Sequence, residues 1–181
     1  MTQRHKVFIS YHHENDQCYR NEFERLFADY FDIMISMAVQ DGDINPMLNA
    51  EYVRQVIRDR YLRESSVTVV LVGTETWKRK HVDWEISSTI RDTPKNPRGG
   101  LLGILLPTRL DVNTGNYCIN TVPPRLHINV EKGYAKIYNW STDPNEVQNW
   151  IHQAFIDRNS IIPDNKLSLY GHNRSGERWQ P

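Results

Sequence analysis

The stretch that most constrains this chain is Ser66 to Arg91, SVTVVLVGTETWKRKHVDWEISSTIR. Val67 to Val72 is an unbroken apolar run, mostly β-branched, which suits a central strand buried on both faces. Gly73 to Thr76 supplies turn and cap residues, and a helical pattern follows. A helix turns about 100° per residue, so Val82, Ile86, Thr89 and Ile90 share a stripe that can lie on a sheet. Trp77, His81, Glu85 and Ser88 share the neighbouring stripe. Glu85 falls on the border, where a carboxyl can be half-buried in a cleft. Trp84 points nearly away from the sheet. On helical position alone, a charged residue such as Glu85 is commonly solvated.

The same alternation recurs along the chain. Val7 to Ile9 predicts a short buried strand ending at Ser10-Tyr11. The polar run His12 to Asp16 reads as a βα loop, at the sheet end where open α/β folds bind ligands. From about Gln17, Tyr19, Phe23, Leu26, Phe27 and Tyr30 recur at helical spacing. Phe31 to Val39 reads as the second strand and Gln40 to Pro46 as a turn-rich loop. Asn49 is placed to cap a helix carrying Tyr52, Val53, Val56, Ile57 and Tyr61. Leu101 to Leu106 is the fourth strand and Ala135 to Trp140 the fifth, separated by Thr108 to Asn129, which has little periodicity. Ser141 or Asp143 caps a last helix with Val147, Trp150, Ile151, Ala154 and Phe155 on one face.

Five alternations of strand and helix specify an α/β fold with a parallel sheet and right-handed crossovers. A flavodoxin-like order, 2-1-3-4-5, sets the first strand beside the third. Ser10 to His13 should then face the start of the helix carrying Glu85. Residues 1–158 form one domain in this reading, and 159–181 a polar tail or surface wrap.

Composition narrows the function. The 181 residues carry 22 basic and 22 acidic side chains, so the formal charge is zero and nothing steers the chain to nucleic acid or an anionic membrane. Two cysteines, Cys18 and Cys118, suggest reduced thiols rather than a disulfide framework or zinc site. The charged N-terminus turns directly into a strand with no signal-peptide core, and no apolar run reaches membrane-spanning length. A soluble cytoplasmic protein is the expectation.

Several chemistries of this fold lack their residues. The first loop, SYHHEND, has no glycine to cradle a flavin phosphate, and the third strand ends Val72-Gly73-Thr74 without a phospho-acceptor aspartate. P-loop, Rossmann and nucleophile-elbow motifs are absent from the sequence. His12, His13 and Asp16 are better read as a solvated or hydrogen-bonded loop than as a metal site.

The segments KVFISYHHEND, SVTVVLVGTETW and HVDWEISSTI, in this order, resemble TIR domains. More narrowly, they are similar to the bacterial TIR-like proteins of the Thoeris anti-phage system, over roughly residues 5–158. The resemblance implies a TIR fold and an NAD glycohydrolase or cyclase, with NAD as substrate and no cofactor or metal. It assigns the catalytic role to Glu85 and a substrate-binding role to Ser10, Tyr11 and His12. A cyclic ADP-ribose-type product would carry a signal to a separate effector protein, and TIR surfaces can pair copies of the chain. The region 107–133 is longer than in a minimal TIR domain.

In such a reaction nicotinamide leaves neutral and the ribose passes through an oxocarbenium-like state, which a nearby carboxylate stabilises. Glu85 would act ionised there, with no raised pKa required. Trp77 and Tyr11 are candidate aromatic walls, with core packing as the equal alternative. Ser10 and His12 are candidate hydrogen-bond partners of ribose or phosphate; His12 equally suits a solvated loop. Two rivals stand beside this reading. One is a non-enzymatic TIR scaffold using an exposed Trp84 and the QDGDINP loop. The other is a nucleoside-processing enzyme of the same fold, such as a deoxyribosyltransferase or phosphohydrolase.

Overall fold

The computed structural model describes residues 3–37, 49, 52, 56, 59, 62–94 and 96–180. Its sheet has five strands: β1 His5–Ser10, β2 Met34–Met37, β3 Val67–Val72, β4 Gly100–Leu105 and β5 Ala135–Asn139. They run in the order β2-β1-β3-β4-β5, every pair parallel, with Ser10 in register with Val70. The fold is flavodoxin-like α/β. Both central strands, β3 and β4, are buried along their whole length, as their largely apolar sequences require, and the one hydroxyl in β3, on Thr68, is paired with Thr89 Oγ1 at 2.7 Å.

Among the described residues, the α-helices with defined bounds that flank the sheet are α1 His13–Glu24, α2 Lys80–Thr89, α3 Pro124–Glu131 and α4 Pro144–Ser160. One core packs Phe23 and Phe27 with Val147, Ile151 and Ala154 against β1, β3 and β4. The other packs Val82 and Ile86 of α2 with Leu126 of α3 on the opposite face. Helix α4 lies so close to β4 that a Cβ on Gly100 would sit 2.3 Å from the Ala154 carbonyl oxygen, so glycine permits the contact. No helix among the described residues is long and apolar enough to cross a membrane.

Several boundaries differ from the sequence reading. Helix α1 begins at His13, not Gln17, because the His12 side chain accepts the Asn15 N–H and caps it. Strand β2 starts at Met34 because Phe31 N–H bonds back to Leu26 O at 2.8 Å, ending a π-helical turn over Arg25–Tyr30. The segment Thr108 to Asn129 is not aperiodic throughout. It holds a 3-10 turn, Ile119–Thr121, and the start of α3, whose eight residues are too few to establish a period. Of the helix expected over Tyr52–Tyr61, Tyr52 and Val56 are helical and Tyr52 is exposed. The loop Gln40 to Pro46 and the end of the second strand at Val39 lie outside the described residues.

Candidate functional site

Helix α2 carries the candidate acid, and the β3–α2 connection sets its position. After β3, Gly73 N–H donates to Thr76 Oγ1 at 2.8 Å. Thr76 Oγ1 lies 3.3 Å from both Leu71 O and Asp16 Oδ2. Gly73 cannot be another residue cheaply, since a Cβ there would lie 2.4 Å from the Asp16 carboxylate. Arg109 reaches in from the loop after β4, donating to Gly73 O at 3.2 Å and Thr121 O at 3.0 Å. Thus α1, the β3 turn and the β4 loop are tied together at the carboxyl end of the sheet.

Trp77 belongs to a 3-10 turn, Thr76–Lys78, and α2 starts only at Lys80. From Val82 to Thr89 every residue of α2 is buried. Glu85 is 4 % exposed, deeper than the half-buried border position its helical phase suggests. Ser10 Oγ, at the end of β1, donates to Glu85 Oε2 at 2.5 Å. The adjacency of β1 and β3 brings these two residues together across 75 positions of sequence.

Burial pushes the Glu85 carboxyl up to about 8, against the opposing hydrogen bond from Ser10. In the free protein near neutral pH it is therefore mostly protonated, whereas the sequence argument set no such requirement. Asp16 is likewise raised, to about 6, by burial, with the Thr76 hydroxyl pulling the other way. Neither carboxyl has a cation among its causes of shift, which makes each a functional-site candidate.

The remaining candidates are also inside, but on other partners. Tyr11 is 7 % exposed; its hydroxyl donates to Gln17 Oε1 at 2.7 Å and its ring stacks on His13 at 4.4 Å. His12 is 2 % exposed, so it is not a solvated loop residue. Its Nδ1 accepts the α1 cap bond, which leaves the proton on Nε2, and burial lowers its pKa. Trp77 is 1 % exposed, and among the described residues its Nε1 has no partner. Trp84, read from the sequence as pointing outward, is 1 % exposed, and its Nε1 donates to Tyr170 O at 2.9 Å. Chain beyond α4 covers it, so Trp84 offers no free scaffold surface.

Sequence reasoning read Asp16 only as part of a solvated or hydrogen-bonded loop and Thr76 only as a turn or cap residue, and it missed Arg109. Asp16 left a signal: it continues the stripe of Phe23 and Phe27 on α1, an acid on a core-facing line. Arg109 left none, because its bond to the turn reaches Gly73 O across 36 residues of sequence.

A polar-aromatic groove of about 460 Å³ opens beyond β4 and β5, lined among others by Asp111, Tyr117, Trp140, Glu146 and Trp150. Glu85 does not line it.

With this geometry in place, the family comparison is decisive. The family model for the Thoeris protein ThsB, TIR-like domain, matches residues 8–111, more than half of the chain. The chain belongs to that family. No curated protein matches the chain. The matched region runs from the second half of β1 through β4 and includes both Ser10 and Glu85. The five-stranded parallel sheet is accordingly a TIR fold, and its family role is in anti-phage defence. Such a domain is compatible with NAD processing.

Proposed function

We propose that this Thoeris TIR-like protein cleaves the nicotinamide–ribose bond of NAD in the cytoplasm and closes the product into a cyclic ADP-ribose-type signal for a separate effector. The observation that carries this reading is the buried Glu85 carboxyl bonded to Ser10 where the β1 and β3 ends converge. A carboxyl held this deep without a charge partner is expensive to ionise. The nicotinamide ring of NAD is a permanent cation, and a cation at close range favours the carboxylate. Substrate binding would therefore expel the proton and leave Glu85 ionised beside the sugar.

The C1′–N bond then breaks with its electron pair passing to the ring nitrogen, and nicotinamide departs neutral. The carboxylate steadies the positive charge left on the ribose, as in glycoside cleavage. Capture by a nucleophile of the same molecule, with loss of its proton, gives the cyclic product; capture by water gives ADP-ribose. Buried surroundings favour the former by excluding water. Ser10 orients the Glu85 carboxyl. Tyr11, His12 and Trp77 contribute to the walls beside it in this reading, and no cofactor or metal enters. Paired copies of the domain are compatible with it.

The test follows nicotinamide release and identifies the nucleotide product by mass spectrometry, with and without extract from phage-infected cells. Glu85→Gln should reduce release about 10²–10³-fold. Full turnover by that variant, or silence of the unaltered protein under both conditions, would overturn the reading.

A further inference from the structure

The polypeptide beyond α4 lies outside the family match, which ends at residue 111. It nevertheless bonds along the outer face of the Glu85 helix. Helix α2 has no local side-chain cap at Arg79. Its first N–H, on Lys80, instead donates to Asn173 Oδ1 at 3.0 Å, a cap supplied from 93 residues away. One turn on, Asp83 Oδ2 accepts the Tyr170 N–H at 3.0 Å and Trp84 Nε1 donates to Tyr170 O. A further turn on, Asn165 Nδ2 donates to Ser87 O at 3.0 Å. Lys80, Asp83, Trp84 and Ser87 are spaced i, i+3, i+4 and i+7, so they form one face of the helix. The strap grips that face at three levels. Two more bonds fix the preceding turn: Arg174 N–H to Lys78 O at 2.7 Å, and the Tyr170 hydroxyl to Trp77 O at 3.3 Å.

Glu85 lies off this face and reaches Ser10 on β1. A helix free on its outer side can slide or tilt, and its carboxyl would then leave the Ser10 hydroxyl. We infer that the strap Asn165–Arg174 is a positioning element of the active site, with Asn173 and Tyr170 as the residues that hold Glu85 over Ser10. The catalytic consequence rests on the NAD-cleavage reading above; the positioning itself does not.

The experiment compares Asn173→Ala, Asn173→Asp and Tyr170→Phe in the full chain. Asn173 has an exposed side chain, so its loss leaves the core intact. Two readouts are taken. The ionisation of Glu85 is followed in free protein by difference infrared spectroscopy, with the carboxyl band assigned by its loss in Glu85→Gln. Nicotinamide release is followed as kcat and KM. If the strap positions the acid, Asn173→Ala admits water around Glu85 and lowers its ionisation midpoint by about half a pH unit or more. It also lowers kcat about tenfold with KM within about twofold. Tyr170→Phe acts in the same direction, and Asn173→Asp, which keeps the capping oxygen, restores both. Unchanged midpoint and kcat in both deletions, with only a lower melting temperature, would overturn the inference. Absence of nicotinamide release from the unaltered protein would sink the NAD reading, while the infrared titration still decides the strap.

Discussion

Two faces of one helix treat their acids in opposite ways. On the outer face Asp83, 3 % exposed, receives Arg125 Nε at 2.9 Å and Nη2 at 3.3 Å as well as the Tyr170 N–H. Arg125 is itself 1 % exposed and also donates to Asn165, Leu167 and Ser168. On the inner face Glu85, equally buried, receives one hydroxyl, and its carboxyl is driven up to about 8. The first arrangement satisfies a buried charge and fixes the strap. The second leaves a carboxyl poorly compensated, which costs stability. Such a cost on a residue that could be apolar is what the proposed role of Glu85 would explain.

The largest effect that tests this contrast is in stability against pH. The Glu85 pKa is raised in the folded protein, so its contribution is fully present below about 4.5, the ordinary glutamate value, and is lost as pH rises through about 8. Glu85→Gln cannot titrate. Between those limits the variant should gain on the unaltered protein by on the order of 5 kcal/mol, read from urea unfolding at each pH. A constant difference across the window would mean that Glu85 is as well compensated as Asp83.

Breaking the outer pair should instead be costly at neutral pH. Arg125→Ala strands a buried carboxylate and should lose about 3–5 kcal/mol in the same assay. A loss below about 1 kcal/mol would erase the distinction between the faces. Gly73→Ala comes next, at about 1–3 kcal/mol, because its methyl group must displace the Asp16 carboxyl. Ser10→Ala is smallest, about 1 kcal/mol or less. Its informative readout is the pH dependence of kcat/KM. Loss of a hydrogen bond that lowers the Glu85 pKa should move the rising limb to higher pH.

The sheet was readable because its signals are local. Apolar runs such as Val67–Val72 and Gly100–Leu105 state burial on both faces, and strand–helix alternation restricts the order of strands. Strand order in turn brought Ser10 to Glu85. The helical phase of α2 was equally readable, but what covers each of its faces was not. Trp84 was expected outside and lies inside because chain 86 residues later bonds its indole. The start of α1 was misjudged because a histidine cap is uncommon among N-caps.

Strand–helix alternation and motif order are properties of short segments, so the TIR topology was legible there, and the family resemblance pointed to Glu85 as the candidate acid. Only folding set how deeply Glu85 is buried, that Asp16 packs against the β3 turn, and that the strap closes the outer face of α2. Burial and pairing depend on groups that meet only after folding, and the pattern of any one segment does not encode its distant partners.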